Sequence, residues 1–382
     1  MKVTTALVFT VIICAKYLML ERKLRFIIHQ ASKVEHLPST IYTKKTMNPS
    51  ELVPSIGIEE HYEHFAKIYN LITPDYPTTA DDIRKGDAGR EAKYTYQRYL
   101  VRSTKRDEVV GIATWGHTHW AHHPDRYFID VQIRPTDWGK GYGKAVYDQL
   151  IAQIMQLDPL SVEAESRESL PRGIRFLEDR DFKIKLIEYA SKLDLASFDP
   201  TPFGNKVEQL EQSGYAFIDL NAYMADRPNH MRELYDAEVE IEKDIPWHEE
   251  KTVEPFEKFQ KKFELYKQDR INECFILALK DEEIVGLTML FRNPDKPANL
   301  YTGMSGVKRA HRRKGLVTAL KAISLGWAKE NLVTEDGTIP SVYTENEENN
   351  PMFLINEKMG FVRQPSFHFY VKTFREDQNK HT

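Results

Sequence analysis

Two segments of the sequence combine glycine with basic residues at the point where an extended run gives way to an amphipathic helix. In the first, WGKGYGK, the residues that could contact an anion are Trp138, Gly139, Lys140, Gly141, Tyr142 and Gly143. Glycine lets the backbone approach a phosphate closely, and a helix N-terminus offers unpaired N–H groups. Pyrophosphate is the ligand that such a segment is expected to bind. The segment matches neither the Walker A loop nor the GxGxxG dinucleotide fingerprint, so a tight turn that merely needs glycine is the alternative.

The second segment, KRAHRRKGLV, is more basic. Six basic or titratable residues precede Gly315: Lys308, Arg309, His311, Arg312, Arg313 and Lys314. A basic cluster is more often a solvated face than a binding site. This one occupies the same place relative to its helix as the glycines of the first segment, which favours an anion site.

The two segments belong to an internal repeat. Residues 107–113, DEVVGIA, resemble residues 282–288, EEIVGLT. Three pairs anchor the alignment, namely Gly111/Gly286, Gly141/Gly315 and Phe182/Phe361, which lie 175, 174 and 179 positions apart. A period of this length indicates a tandem of domains and not a solenoid.

Each copy has the same pattern of elements. A strand is followed by helical stretches, three β-rich runs, a glycine turn that opens a helix, and a closing strand, helix and strand. The pattern predicts an α/β fold in each copy, with a central mixed, mostly antiparallel sheet flanked by helices. Residues 199–205, DPTPFGN, contain the proline, glycine and asparagine residues that are typical of a linker. We therefore predict an appendage at 1–46, domains at 47–199 and 206–373, and a polar tail at 374–382.

At this point the residues resemble the GNAT acetyltransferase superfamily. The segment from Arg312 to Val317 is similar to the acetyl-CoA loop of that family, Gln/Arg-x-x-Gly-x-Gly/Ala. The later segment YTENEENNPMFLINEKMGFV is similar to its second motif, at positions Asn349, Met352, Asn356, Gly360 and Phe361. The first copy is more degenerate, with Trp138 in place of Gln or Arg and Asp181 in place of the second motif's glycine. The tandem arrangement resembles that of mycothiol synthase.

The resemblance implies transfer of an acetyl group from acetyl-CoA to a primary amine of a small molecule or peptide, with acetyl-CoA as co-substrate and no metal. It implies that the fourth and fifth strands splay apart and that the pantetheine pairs with the fourth. The implied cofactor contacts are Ser305, Gly306, Val307, Arg312, Arg313, Lys314, Gly315, Leu316, Val317 and Asn349. The glycine loop of the first copy, from Trp138 to Gly143, could be a second CoA site.

The proton donor is where the sequence departs from the family. Many members carry a tyrosine four residues before the glycine of Gly-Phe, whereas this chain has Asn356 there and Leu177 in the first copy. An asparagine amide can hydrogen-bond sulfur or orient a water, but it is not a general acid. For the base, Glu345 and Glu240 are the candidates, although a surface carboxylate is the commoner explanation for each.

Composition limits the class of protein. The chain has 382 residues, enough for two or three domains, with 53 Lys+Arg against 57 Asp+Glu, so its net charge is −4. This near balance argues against broad nucleic-acid or anionic-membrane binding. Two cysteines, Cys14 and Cys274, are too few for a disulfide framework or a zinc quartet and suit the cytoplasm.

Two features of the sequence, an apolar N-terminal run and a histidine-rich segment, leave other interpretations open. The apolar run from Thr4 to Leu20 resembles an anchor or signal sequence, although Lys16 interrupts it and Met47 could be the true start. The histidines of WGHTHWAHHPD suggest a metal site, but without a nearby cysteine a solvated or substrate-facing loop is favoured. The alternatives to an enzyme are a regulatory protein that binds acyl-CoA without turnover and a nucleotide-binding protein. The oligomeric state and the acceptor amine are not readable.

Overall fold

The structure is a computed structural model that describes residues 48–118, 121–225, 227–245, 252–292 and 296–376. Contacts divide these residues into two compact units, one of residues 48–164 with 371–376 and one of residues 165–370. Each unit is described by itself. The predicted appendage at residues 1–46 and Met47 lie outside the described residues.

The first unit is built on five strands that are neighbours in chain order: β1 (Ser50–Pro54), β2 (Tyr96–Ser103), β3 (Val109–Gly116), β4 (Arg126–Ile133) and β5 (Ser161–Arg167), which ends in the second unit. The pairs are antiparallel except β4 with β5, which run parallel. Helices α1 (Glu59–Ile72) and α3 (Tyr142–Ile154) pack on the sheet, and α2 (Ala80–Ala88) packs on α1. In α1 the buried residues Tyr62, Phe65, Ala66 and Ile68 follow helical spacing.

The second unit has the strand order β13-β6-β11-β10-β9-β8-β7, with β12 paired to β6. The strands are β6 (Lys183–Asp194), β7 (Tyr215–Asp219), β8 (Ile276–Lys280), β9 (Glu283–Arg292), β10 (Asn299–Val307), β11 (Ser341–Glu347), β12 (Val362–Arg363) and β13 (Phe367–Thr373). Strands β10 and β11 are parallel, whereas β11 is antiparallel to β6 and β10 to β9.

Helices cover both faces of this second sheet. They are α4 (Pro171–Glu178), α5 (Gly204–Gln212), α6 (Leu220–Ala225), α7 (His230–Glu242), α8 (Phe256–Leu265), α9 (Leu316–Asn331) and α10 (Met352–Lys358). Ile276 and Ala278 of β8 pack with residues of α5 and α9, while Leu277 and Leu279 pack with residues of α6, α7 and α8. Successive side chains of a strand point to opposite faces, so these helices lie on opposite sides. The predicted mixed sheet flanked by helices is confirmed.

Backbone dihedral angles show the repeat at single residues. Left-handed conformations occur at aligned positions of the two copies: Asp107 and Glu282, Gly139 and Arg313, Gly141 and Gly315, and Asp181 and Gly360. The alignment drawn from the sequence is therefore matched by the local geometry of two turns and one helix end.

The segment expected to be a linker has a different local structure. Residues Thr201–Phe203 form a 3-10 turn with proline in its first turn, and α5 begins at Gly204. Proline is tolerated there because its missing N–H is not needed at a helix start. Helix α4 and strand β6, which the sequence assigns to the first copy, lie in the second unit.

Candidate functional site

Strands β10 and β11 diverge in the middle of the second sheet. Their register pairs run from Asn299↔Ser341 to Tyr301↔Tyr343, whereas β10 continues to Val307 and β11 to Glu347. Residues 305–307 remain paired with β9 on their other side. Within the described chain, no strand pairs with the opposite edge of residues 305–307, so its backbone groups are open to an extended ligand.

Gly306 lies on this edge, at a position that has no room for a side chain. A Cβ atom built there would lie 2.2 Å from Cγ2 of Ile241 in α7. Glycine therefore lets α7 approach the splayed end of β10 closely. The same contact places the last turn of α7 beside the gap.

The loop that follows β10 leads into α9 with its N–H groups uncapped. Arg313 and Gly315 have φ values of 62° and 88°, and Gly315 is the N-cap of α9 with no side-chain hydrogen bond. The free amides and the positive end of the helix dipole form a site suited to phosphate. Leu316 is buried and Val317 is half-buried in the first turn.

Most of the basic residues around this loop have partners. Lys308 forms an ion pair with Glu240 at 3.1 Å and also with Glu283, while Arg309 and Arg312 both bind Asp244. Hydrogen bonds, first from Arg309 and then from Arg312, lower the pKa of Asp244. Lys314 Nζ lies 2.9 Å from the Tyr215 hydroxyl.

Lys206 of α5 was not singled out in the sequence. Its Cε atom lies 2.6 Å from where a Cβ of Gly315 would be, so this side chain lies across the start of α9. Arg313 is exposed at the same loop. Lys206 therefore lies at the start of α9 in addition to Arg313 and the rest of the predicted cluster.

The second predicted motif separates into an exposed and a buried part. Asn349 is exposed, and its Nδ2 donates to Glu347 Oε1 at 2.9 Å. Asn356 of α10 is fully buried, and its Nδ2 donates to Asn346 Oδ1 of β11 at 2.7 Å. The Oδ1 atom of Asn356 is buried without a hydrogen-bond partner.

The candidate bases differ in environment. Glu345 of β11 is 1% exposed, while the Glu240 side chain is half-exposed in its ion pair with Lys308. Glu238 of α7, which the sequence analysis missed, is half-buried; burial first, and then the charge of Glu242, raises its pKa to about 8. It lies one turn before Ile241. Helical spacing could have revealed it, because Leu234, Ala237 and Ile241 form the buried stripe of α7 and position 238 lies on that stripe.

The first copy holds its glycine loop differently. Gly139 and Gly141 have φ values of 78° and 86°, and a Cβ on Gly141 would meet nothing within 4 Å. The Trp138 indole donates to the Ile133 carbonyl at 2.6 Å, and Lys140 binds the buried Asp137 at 2.8 Å. Tyr142 is buried with its hydroxyl 2.8 Å from that of Ser103, and Gly143 follows in the first turn of α3.

Other residues that were singled out in the sequence have ordinary structural roles. Cys274, expected in a strand, lies in a 3-10 turn before β8; it is buried, and burial raises its thiol pKa to about 12. His117 is buried, with its ring nitrogens engaged by the Thr95 amide and the Pro124 carbonyl. No group of three His, Cys, Asp or Glu in the described ranges is arranged to hold a metal ion. Across those ranges, no helix combines the length and apolarity needed to cross a bilayer. His119 lies outside the described residues.

Comparison with known proteins gives the same picture. Residues 232–361 match the family model described as the acetyltransferase (GNAT) family. Among solved structures, a tandem GNAT protein from the clavulanic acid biosynthesis pathway aligns with a TM-score of 0.64 at 19% identity, covering 86% of this chain and all of that one. None of the curated proteins compared matches the chain significantly in sequence.

A GCN5-related N-acetyltransferase from Sphaerobacter thermophilus aligns with a TM-score of 0.59 at 16% identity, covering 85% of this chain and 96% of that one. At such identities the similarity concerns the fold, which is that of a tandem GNAT protein. The family is given by the sequence match, and only for residues 232–361. Residues 232–361 are a GNAT-family acetyltransferase domain.

Proposed function

We propose that the protein is an acetyl-CoA-dependent N-acetyltransferase, in which the second copy is catalytic and the first is a degenerate copy. The observation that carries the proposal is the open edge of residues 305–307 directly before the uncapped N-terminus of α9. An extended pantetheine fits the first feature and a pyrophosphate the second. The cytoplasm is the compartment we propose, and the acceptor is a primary amine of a small molecule or peptide.

In this proposal the chain contributes binding and proton transfer. Backbone groups of Ser305 to Val307 hold the pantetheine, and the amides from Arg313 to Val317 hold the pyrophosphate with Lys206 and the basic cluster nearby. Acetyl-CoA supplies the activated acyl group. The acceptor must lose a proton, and Glu238 suits this role best, since a base with a pKa near the working pH is the most effective. Glu240 is the weaker candidate, because it is ion-paired to Lys308.

The test is calorimetric titration with acetyl-CoA of the wild type and of Gly315→Glu, Gly141→Glu and Gly337→Glu. The last is a matched control, because Gly337 is another glycine with positive φ and open surroundings in a loop of the second unit. A carboxylate placed against a bound pyrophosphate costs several kcal/mol, so we expect Gly315→Glu to weaken binding on the order of 100-fold or more. The other two variants should bind as the wild type does.

Three outcomes would count against the proposal. If only Gly141→Glu abolishes binding, the first copy is the cofactor site. If the wild type binds ATP or NAD but no CoA species, the protein binds nucleotides. If acetyl-CoA binds tightly but a screen of amines produces no acceptor-dependent thiol release, the protein is a regulatory acyl-CoA binder, an alternative that the asparagine at position 356 favours.

A further inference from the structure

A lysine is buried in the middle of α9. Lys321 is 3% exposed, and its Nζ lies 5.7 Å from the centre of the Phe361 ring. Within the described part of the chain it forms neither a hydrogen bond nor an ion pair. A buried ammonium without a counterion is costly, so such a group is rare unless it has a function or a ligand.

The nearest elements add further polar atoms. The Phe361 amide donates to the Asn356 carbonyl at 3.0 Å, and the Asn356 side chain binds Asn346. We call Lys321, Asn346 and Asn356 the internal polar cluster. Asn346 is 2% exposed and Asn356 0%, and Asn356 Oδ1 has no partner. A buried polar atom without a partner calls for an explanation, such as a ligand that completes it.

The cluster lies on the α9 side of the gap between β10 and β11. Val342 of β11 belongs to the same apolar cluster as Ala322 and Leu325 of α9. Because side chains alternate along a strand, Asn346 faces the same layer as Val342. Asn346 is three residues beyond Tyr343, the last residue of β11 that pairs with β10. It therefore belongs to the splayed part of β11.

Lys321 also lies at a suitable distance from the loop before α9 to contact a pantetheine whose pyrophosphate is bound there. Lys321 follows Gly315 by six residues, which is about 9 Å along a helix axis. A pantetheine that runs from the start of α9 into the gap passes along this part of the helix. Asn356 occupies the position from which many family members protonate the leaving thiolate, and asparagine cannot do so.

We infer that Lys321 is the proton donor to the CoA thiolate in the second copy, an assignment that rests on the proposed acetyltransferase function. As the bond between carbon and sulfur breaks, the electron pair goes to sulfur and the Lys321 ammonium gives it a proton, leaving a neutral amine and CoA thiol. The acceptor ammonium first loses one proton to Glu238, as proposed above, and the amine nitrogen loses a second proton when it becomes an amide and returns that proton to Lys321 through water. Atoms and charges balance without a further reactant.

The electrostatics favour this direction of transfer. Burial alone lowers the pKa of Lys321 to about 7. A free thiol has a pKa of about 8.5, so a proton moves downhill from Lys321 to the thiolate. The other two side chains of the internal polar cluster, Asn346 of β11 and Asn356 of α10, carry no charge, and none of the described charged side chains contributes to the shift.

The experiment compares the wild type with Lys321→Met and with Lys329→Met, a matched control on the same helix whose lysine binds the Phe198 carbonyl. Thiol release with an amine that supports it is followed against pH for each protein. A general acid must carry its proton, so in the wild type and in Lys329→Met the rate should fall as the pH rises above about 7, where Lys321 loses its proton, and this fall should be absent in Lys321→Met. Lys321→Gln replaces the methionine variant if that variant does not fold.

A second measurement uses any amine that supports thiol release. Lys321→Met should lower kcat about 100-fold or more, the usual contribution of a general acid, while the Kd of acetyl-CoA changes by less than about threefold. If CoA fails to bind the wild type, the proposed function fails with it. If CoA binds and thiol release depends on pH in the same way in all three proteins, Lys321 is not the donor and the proposed function stands.

Discussion

The two strand-to-helix loops have the same backbone and different charges. In both, a strand is followed by a 3-10 turn, two left-handed residues and a helix with an uncapped N-terminus. In the first copy the left-handed residues are glycines and the nearby cations are bound within the loop and its helix, Lys140 to Asp137 and Lys144 to Asp148. In the second, Arg313 takes a glycine's place and Lys206 reaches in from α5.

The difference teaches that backbone geometry alone does not make a phosphate site. Asp137 is 1% exposed and binds Arg106, Arg134 and Lys140, so the first loop supplies its own anion. In the second loop the aligned position is His311, and the balancing acid, Asp244, follows α7 and engages only Arg309 and Arg312. The second loop thus contains no buried acid at this position, and under the proposed function its cationic groups face the pyrophosphate.

Substitution of the internal anion tests this contrast most strongly. Burial alone would raise the pKa of Asp137, but hydrogen bonds from Lys140, Arg134 and Arg106 outweigh it and hold the pKa well below the usual range. Asp137→Asn should lower the free energy of unfolding by about 2 kcal/mol, less than for a fully buried pair because the three cations are partly exposed. Chemical denaturation measures it.

The matched control is Asp148→Asn, which removes the exposed partner of Lys144 and should cost less than about 0.5 kcal/mol. Because the pKa of Asp137 is depressed in the fold, its contribution is complete above pH ~4, the unfolded value, and is lost as the pH falls further. Equal costs for the two variants would show that the first loop does not depend on its buried anion.

A second comparison concerns the helices that follow the loops. At the position aligned with Lys321, the first copy has the buried Tyr147. Since burial lowers the Lys321 pKa to about 7 while an unfolded lysine titrates near pH 10.4, the unfolded state binds more protons between these values and stability rises with pH. We expect a gain of about 1 to 2 kcal/mol from pH 7 to 9.

Denaturation of the wild type and of Lys321→Met at several pH values checks this. The methionine variant should lack the rise and should be the more stable protein at pH 7, because it removes a buried charge. Parallel curves for the two proteins would mean that Lys321 is not buried as described.

The smallest expected effect is on CoA affinity, and it comes from removing one lysine beside each loop. Lys206→Ala should weaken CoA binding about three- to fivefold, as expected for one exposed cation near a phosphate. Lys144→Ala in the first loop should leave CoA affinity unchanged, because that lysine is tied to Asp148. Calorimetry at low salt is the measurement, and equal effects of the two substitutions would contradict the assignment of the second loop.

Periodicity and turn residues were sufficient to predict most elements, because each copy has short strands and amphipathic helices with clear boundaries. Helix α9 begins at Leu316, directly after the glycine turn that was predicted to open a helix, and β10 ends at Val307 before that turn. The position of the loop was predicted for the same local reason, while its binding of phosphate stays a prediction. The pairing of the loop with Asp244 could not be predicted, because the two partners are more than 60 residues apart and meet only through tertiary packing.

The internal polar cluster also could not be predicted from the sequence. Lys321 stands between Leu320 and Ala322 in a helix whose other lysine, Lys329, is half-buried, and no spacing rule marks Lys321 as fully buried. Asn356 was singled out only through the resemblance, and its partner Asn346 was not. The catalytic assignments of Glu345, Glu240 and Asn356 therefore stay predictions.

Strand β6 has a consequence for how the two repeats can be separated. It pairs with β11 over seven residues, from Asp194↔Ser341 to Glu188↔Glu347, although its sequence belongs to the end of the first repeat. A fragment that began at residue 206 would leave β11 with a bare, largely buried edge, which is a template for aggregation. The shortest autonomous piece of the second repeat must start near residue 165. The first unit also takes residues 371–376 from the far end of the chain, so a cut between the two repeats would leave neither unit with all of its strands.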